Sequence, residues 1–213
     1  MELPDVRSYQ LQDLELDLNL GERGQTDLGM LLRLMPRLQR LHLTFYELTA
    51  SEVAAIAGAL STLTALTSLT CSALASLWQP DVVLELRSCS AVRELRLGQQ
   101  LASPQLFTAL AASLRACSQL ISFQLDYFRY PEQDWPAGVP LRPLFNAFAG
   151  CRQLKRAGWE NEDLGVGEAV ELCTALQQHP ALHALRLTIL GITDEEKSAV
   201  RQLVLCACFR SLE

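Results

Sequence analysis

The amino-acid sequence predicts an α/β solenoid of about seven units, one domain over residues 1–213, with a parallel sheet on the concave face and helices on the convex face. Three observations predict it. A phrase of apolar residues spaced i, i+3, i+5 recurs: Leu11-x-x-Leu14-x-Leu16, Leu38-x-x-Leu41-x-Leu43, Leu66-x-x-Leu69-x-Cys71 and Val92-x-x-Leu95-x-Leu97. It continues as Leu120-x-x-Phe123-x-Leu125, Leu154-x-x-Ala157-x-Trp159 and Leu182-x-x-Leu185-x-Leu187, and an eighth start is Phe209-x-x-Leu212. Second, the first positions are spaced by 27, 28, 26, 28, 34, 28 and 27 residues. Third, the intervals carry helix start and stop signals. A steady period near this length, split between a short strand and a helix, marks units that bury their apolar faces by stacking. Such stacks display a long surface.

The strands are expected near 13–17, 40–44, 68–72, 94–98, 122–126, 156–160 and 184–188. Side chains alternate between the two faces of a strand, so Leu14 and Leu16 and their equivalents face the core. The helices follow from periodicity and capping. One spans Asp27 to Met35 with Thr26 as its cap, and one spans Glu52 to Leu60 after Ser51. A short helix covers Asp81 to Arg87 near Pro80. Pro104 to Ala116 has Ser103 as cap and proline at the first helical position, where its missing N–H costs nothing. Pro140 and Pro143 confine Leu141 to Gly150 to a short piece, and Gly167 to Gln178 stops at Pro180. Glu195 to Cys206 opens on Asp194-Glu195-Glu196, acids that suit the positive end of a helix dipole. Strand–helix–strand crossovers of this kind are right-handed.

With these phrases in place, the chain resembles leucine-rich repeat proteins, and most of all their ribonuclease-inhibitor-like type. Pro36-Arg37-Leu38-Gln39-Arg40-Leu41-His42-Leu43 carries the resemblance, as does a cysteine at the helix end before a strand, in Ala116-Cys117-Ser118-Gln119-Leu120. It covers about Leu11 to Leu212. It implies a horseshoe-shaped binding scaffold. The family pattern also places asparagine or cysteine eight residues after the first leucine. Only Asn19 follows it; Tyr46, Leu74, Gln100, Phe128, Glu162 and Leu190 do not, so their loops must satisfy backbone groups differently. Neither end shows a dedicated cap. The expectation is that a partner covers the ends or that the chain is part of something longer.

Composition bounds the function classes. Hydrophobic residues make up 49% of the chain and the formal charge is −6. An acidic balance argues against nucleic acid, which is gripped through a basic footprint. No apolar run approaches the roughly 18 residues of a membrane span. Met-Glu-Leu-Pro-Asp lacks the start of a signal peptide, so an intracellular, cytoplasmic protein is expected. The seven cysteines are an odd number. Cys89, Cys117, Cys151 and Cys206 each stand three residues before a strand's first apolar residue, where other units carry Met35, Leu63 and His179. That slot is expected to take a medium-sized apolar side chain, as buried cysteine does. Cys206-Ala-Cys208 falls short of the four converging ligands zinc prefers.

The variable strand residues line the concave face in three columns. The first holds Asp13, Arg40, Ser68, Glu94, Ser122, Arg156 and Ala184. The second holds Glu15, His42, Thr70, Arg96, Gln124, Gly158 and Arg186. The third holds Asp17, Thr44, Ser72, Gly98, Asp126, Glu160 and Thr188. The face is acidic at its first strand, small and neutral in the middle, and mixed beyond. It is either an ordinary solvated sheet face or a protein-binding face whose charges set orientation. The step of 34 residues adds a stretch near Asp126 to Pro136 that carries Tyr127, Arg129, Tyr130 and Trp135. Insertions in stacked units map to loops on one face, and tyrosine, tryptophan and arginine are enriched at interface hot spots. The partner-binding candidates are Arg40, His42, Arg96, Gln124, Asp126, Tyr127, Arg129, Tyr130, Trp135, Arg156, Trp159 and Arg186. The plainer alternative is that Phe128 and Tyr130 fill loop-core slots and Trp135 covers the sheet edge. Trp78 admits the same two readings.

The sequence offers little chemistry. His179 and His183 straddle Pro180 and a helix-to-strand change, which spoils a shared ligating face. Asp13, Glu15 and Asp17 are an exposed acidic edge before they are a cation site. Gly21-Glu22-Arg23-Gly24 leads into no lysine-bearing helix and is no phosphate cradle, and no nucleophile–base spacing stands out. The expectation is a non-enzymatic module that binds a protein, with no catalytic residues, metal or cofactor. The alternatives are a structural subunit of a larger cytoskeletal or organellar assembly, or the substrate-recognition part of a ubiquitin ligase or effector.

Overall fold

A computed structural model describes residues 11–18, 28–45, 50–73, 83, 86–99, 104–127, 142–161, 166–177, 179–189, 193 and 198. Seven strands form one all-parallel sheet in chain order. They are β1 (Asp13–Leu18), β2 (Arg40–Phe45), β3 (Ser68–Ala73), β4 (Glu94–Gln99), β5 (Ser122–Tyr127), β6 (Arg156–Asn161) and β7 (Ala184–Ile189). Each begins where the apolar phrase places it. Five helices are described: α1 (Leu28–Arg33), α2 (Ala50–Leu60), α3 (Pro104–Ala116), α4 (Arg142–Gly150) and α5 (Val166–Leu176). This is an α/β architecture, and no helix among the described residues is long and apolar enough to cross a membrane.

Some helix bounds differ from expectation: α1 ends at Arg33, ahead of Met35. Ser51 lies inside α2 rather than capping it, because the helix begins one residue earlier at Ala50. α5 ends at Leu176, ahead of Gln178. Of the short helix expected over 81–87, Val83 is helical and a 3₁₀ turn covers Leu86–Ser88, while 81, 82, 84 and 85 lie outside the described residues. The caps Thr26 and Ser103, Trp78, most of 195–206 and the eighth phrase at Phe209 lie outside the described residues.

The register aligns the three outward columns across the whole sheet. Asp13 pairs with Arg40, Arg40 with Ser68, Ser68 with Glu94, Glu94 with Ser122, Ser122 with Arg156, and Arg156 with Ala184. A backbone stitch ahead of each strand holds this register. The Gln12 carbonyl accepts from Gln39 and Arg40 N–H at 2.8 and 2.9 Å. The carbonyls of Gln39, Thr67, Arg93, Ile121 and Lys155 each accept two N–H groups from the next strand's start in the same way. The 34-residue step between β5 and β6 keeps the stitch, through Lys155 and Arg156 to Ile121 at 2.8 and 3.1 Å. The longer step therefore leaves the β5–β6 register unchanged.

Inward strand positions and helix faces share one core. Leu41, Leu43, Leu69, Cys71, Leu95, Leu97, Phe123 and Leu125 are buried with Leu32, Leu60, Leu110, Phe145, Phe148 and Leu172. α1 packs on α2, α3 on α4 and α4 on α5, while the short turn at Leu86–Ser88 bridges α2 and α3. Ahead of that turn, Ser113 reaches back from α3 and its hydroxyl donates to the Val83 carbonyl at 2.6 Å. Ser113 is buried, so the bond satisfies two groups withdrawn from water.

The slot three residues before each strand is more polar than its apolar occupants suggest. Cys151 Sγ lies 3.2 Å from the Ala147 carbonyl and 3.5 Å from that of Leu114. Cys89 and Cys117 make longer thiol contacts to Leu60 and Leu86 carbonyls. His179 uses the same geometry fully. Its Nε2 stands 2.9 Å from the Cys151 carbonyl, while Nδ1 accepts from the N–H groups of Ala181 and Leu182 at 3.3 and 3.1 Å. Those partners assign the proton to Nε2. In the units with Met35, Leu63, Cys89, Cys117 or Cys151, the matching N–H donates to the slot residue's own carbonyl. Histidine lets a ring nitrogen take that donor and tie the turn to the preceding unit as well.

Gly29 marks the closest helix approach. A Cβ there would lie 2.7 Å from the Ala55 carbonyl oxygen and 2.9 Å from the Ala55 Cβ. At Gly58 the nearest atom to an added Cβ is an Arg33 guanidinium nitrogen at 3.5 Å, an ordinary contact. Gly29→Ala is expected to destabilise the fold by about 1–3 kcal/mol through overpacking. Gly58→Ala should stabilise it by about 0.5–1 kcal/mol through helix propensity. Urea unfolding of the two variants checks the opposite signs. His179→Ala leaves the Ala181 and Leu182 N–H groups without the ring acceptor and removes one of the two donors to the Cys151 carbonyl, at an expected cost of about 2 kcal/mol, and the same unfolding measurement decides it.

Candidate protein-binding face

The face opposite the core carries the three columns. All-parallel sheets are ordinarily covered on both faces, but here Asp13, Arg40, Glu94, Arg156, Glu15, Arg96 and Arg186 are exposed on the outward side. The charges on this face are arranged rather than scattered, because the register puts opposite signs on neighbouring strands. Arg40 grips both carboxylate oxygens of Asp13 through Nε and a terminal nitrogen. The hydrogen bond from Arg40 holds the Asp13 carboxyl below its ordinary value, and the same pairing raises Arg40, with Glu94 adding to it. Arg156 reaches across Ser122 to Glu94 Oε1 at 3.1 Å. His42 Nδ1 lies 3.6 Å from Glu15 Oε1, an ion pair only when the imidazole is protonated.

The third column sinks as it crosses the sheet. Gly98 and Asp126 are buried, although Asp126 was expected among the partner-binding residues. Arg96 Nε donates to Asp126 Oδ2 at 2.6 Å and Gln124 Nε2 donates to Oδ1 at 2.8 Å. Both carboxylate oxygens are thus engaged, which is what a carboxylate withdrawn from water requires. Asp126 acts as an anchor beneath Arg96 and is not available to a partner as a surface acid. Glycine at 98 is what the packing allows, since a Cβ there would lie 3.0 Å from Ser72 Oγ.

Asp126 is thus one candidate corrected by burial, and Trp159 is a second. Trp159 is 2% exposed and sits on the inward side of β6, level with Leu125 and Leu187. Phe145 and Phe148 meet it edge-on, with ring centroids at 5.8 and 6.4 Å. It belongs to the core, as its place in the apolar phrase requires, and it cannot contact a partner on the open face. Its Nε1 is buried without a hydrogen-bond partner. Tyr127 ends β5 in register with Gln99 and Asn161; Arg129, Tyr130 and Trp135 lie outside the described residues. Arg40, His42, Arg96, Gln124, Arg156 and Arg186 all fall on the outward columns. Glu94 was missed as a site residue although it stands in the first column. The signal was there: two serines flank it, and these let Arg40 and Arg156 approach it from either side.

Reactive chemistry is scarce among the described residues. No group of three histidine, cysteine or acidic side chains there is placed to hold a metal ion. Cys71, Cys89, Cys117, Cys151 and Cys173 are buried and form no disulfide. Burial pushes the Cys71 thiol up to about 12, and Cys117 and Cys151 up to about 11, from an ordinary 9.0. A thiol held protonated in an apolar site is a poor nucleophile. No protein-family model matches the chain, and no curated protein matches it as a relative.

The thiols also set an alkaline limit. Their folded-state values lie above the unfolded one, so the folded chain keeps these protons longer. Their contribution is complete below pH 9 and is lost as pH rises through 9 toward about 11 to 12. The slope is at most about 1.4 kcal/mol per pH unit for each thiol. Urea unfolding at pH 8, 9 and 10 should show that decline, and a Cys117→Ala, Cys151→Ala chain should show a shallower one. An identical slope in both chains rejects the assignment.

Proposed function

We propose that this chain is a leucine-rich repeat solenoid of the ribonuclease-inhibitor-like type and works as a non-enzymatic protein-binding module. The open sheet face and the loop after β5, with Tyr130 and Trp135, form its binding surface. The observation that carries this reading is the asymmetry of the sheet: one face holds the apolar core, and the other presents aligned polar columns to solvent. A solenoid accounts for that asymmetry, because only one face of its sheet packs on helices and the other is left for a ligand. Strand order equal to chain order and the stitch repeated at each strand support the same reading. A stable interface takes on the order of 800 Å² from each partner, and a face of seven strands has room for it. Paired charges on the face favour orientation and partner choice over raw affinity.

The test is affinity capture from source lysate with mass spectrometry, comparing the intact chain with Tyr130→Ala, Trp135→Ala and with Arg40→Ala, Arg156→Ala. A partner held by the intact chain and lost by both variants, with circular dichroism unchanged, supports the module. A set of subunits that co-purify equally with all three chains overturns it in favour of a structural component of a larger assembly.

A further inference from the structure

The edge of the sheet where the strands begin differs in charge from the rest of the chain. The stretches that lead into β2 to β7 are 33–39, 61–67, 87–93, 115–121, 149–155 and 177–183, and they contain none of the chain's 24 acidic residues. Arginines at the helix ends serve the helices, whose C-termini favour cations. A guanidinium nitrogen of Arg33 lies beside Gly58, and Arg115 donates to the Pro143 carbonyl at 3.5 Å. Arg93, Arg152 and Lys155 come later in their stretches and are exposed. The ion pairs among the described residues join Arg40 to Asp13, His42 to Glu15, Arg96 to Asp126 and Arg156 to Glu94. None of them matches Arg93, Arg152 or Lys155 with a carboxylate. The carbonyls of Arg93 and Lys155 are two of the stitch acceptors, which fixes both backbones. Ile121 is the stitch residue between them, so the two positions stand two strand spacings, about 10 Å, apart. Arg152 lies in the same turn as Lys155.

We propose that this edge, below β4 to β6, docks an acidic segment of a partner protein, with Arg93, Arg152 and Lys155 as receptors for its carboxylates. The inference rests on the protein-binding reading of the chain and adds a second surface to it. Charge complementarity carries it. On the open face above, Arg156 is balanced by Glu94 and Arg96 by Asp126, so that face leaves the positive excess at the edge standing. The guanidinium fork of arginine matches a planar carboxylate bidentately. An extended segment advances about 3.3 Å per residue, so acids two to four residues apart bracket the spacing from Arg93 to Lys155. A short peptide suits the edge better than nucleic acid. Nucleic-acid affinity grows with the number of phosphates neutralised, and here three cations stand on a chain of charge −6.

Fluorescence anisotropy with the full chain at low ionic strength tests it, using a labelled Glu/Ser peptide of about ten residues, a Lys/Ser peptide and a single-stranded oligonucleotide. The Glu/Ser peptide should bind saturably and weaken as salt is added. It should weaken about tenfold in the double variant Arg93→Gln, Lys155→Gln, the loss expected for two exposed charge pairs. Arg142→Gln, exposed at the start of α4 and away from this edge, should leave binding unchanged. Arg152→Gln, outside the stitch, serves as a second variant should the double variant lose its circular dichroism spectrum. Absence of saturable binding, equal weakening by Arg142→Gln, or preference for the oligonucleotide or the Lys/Ser peptide overturns the inference. If the Glu/Ser peptide fails while a captured partner is still lost by the Tyr130/Trp135 variant, the binding module stands and only the acidic ligand of this edge falls.

Discussion

Each neighbouring pair of the seven described strands is joined by the same backbone event: one carbonyl ahead of a strand accepts two N–H groups from the start of the next. That stitch sets the register of the parallel sheet, and the register decides the rest. Because strand side chains alternate with period two, a slip of one residue would turn Leu95 and Leu97 outward and drive Glu94 and Arg96 into the core. The stitch and the apolar phrase therefore reinforce each other. The backbone bonds align the strands, and the burial of the phrase penalises any other alignment.

The charge pattern of the open face is a consequence of that register. Asp13 and Arg40 are 27 residues apart in the chain, and Arg156 and Glu94 are 62 apart, yet both pairs form because one column brings them together. Exposed pairs of this kind contribute little to stability. Their effect lies in where they hold the side chains. Arg96 differs from the others because its partner is buried, which places a fixed guanidinium above a carboxylate that has no other access to water.

The helical side adds polar and steric contacts of its own. Ahead of the turn at Leu86–Ser88, Ser113 donates a hydrogen bond to the Val83 carbonyl. Where cysteine is replaced by His179, the ring bonds three backbone groups at once. Gly29 removes a side chain so that α1 can reach α2. These are local adjustments to one spacing, and each is a polar or steric detail within an apolar core.

Strand positions, chain-order pairing and the inward side of each strand were legible from the sequence alone, because burial at i, i+3 and i+5 leaves a periodic mark on the residues themselves. Trp159 stands at the third apolar position of its phrase, so the same mark pointed to the core although the sequence reading set it among the partner-binding residues. The sinking of Asp126, the bridge from Arg156 to Glu94 and the bonding of His179 were decided only by the tertiary structure. Each depends on distances between residues 28 to 62 apart in the chain and on which neighbour is small enough to let a side chain pass. Side-chain reach across strands leaves no period in a sequence, so polarity at those positions could be read from the residues but its partner could not.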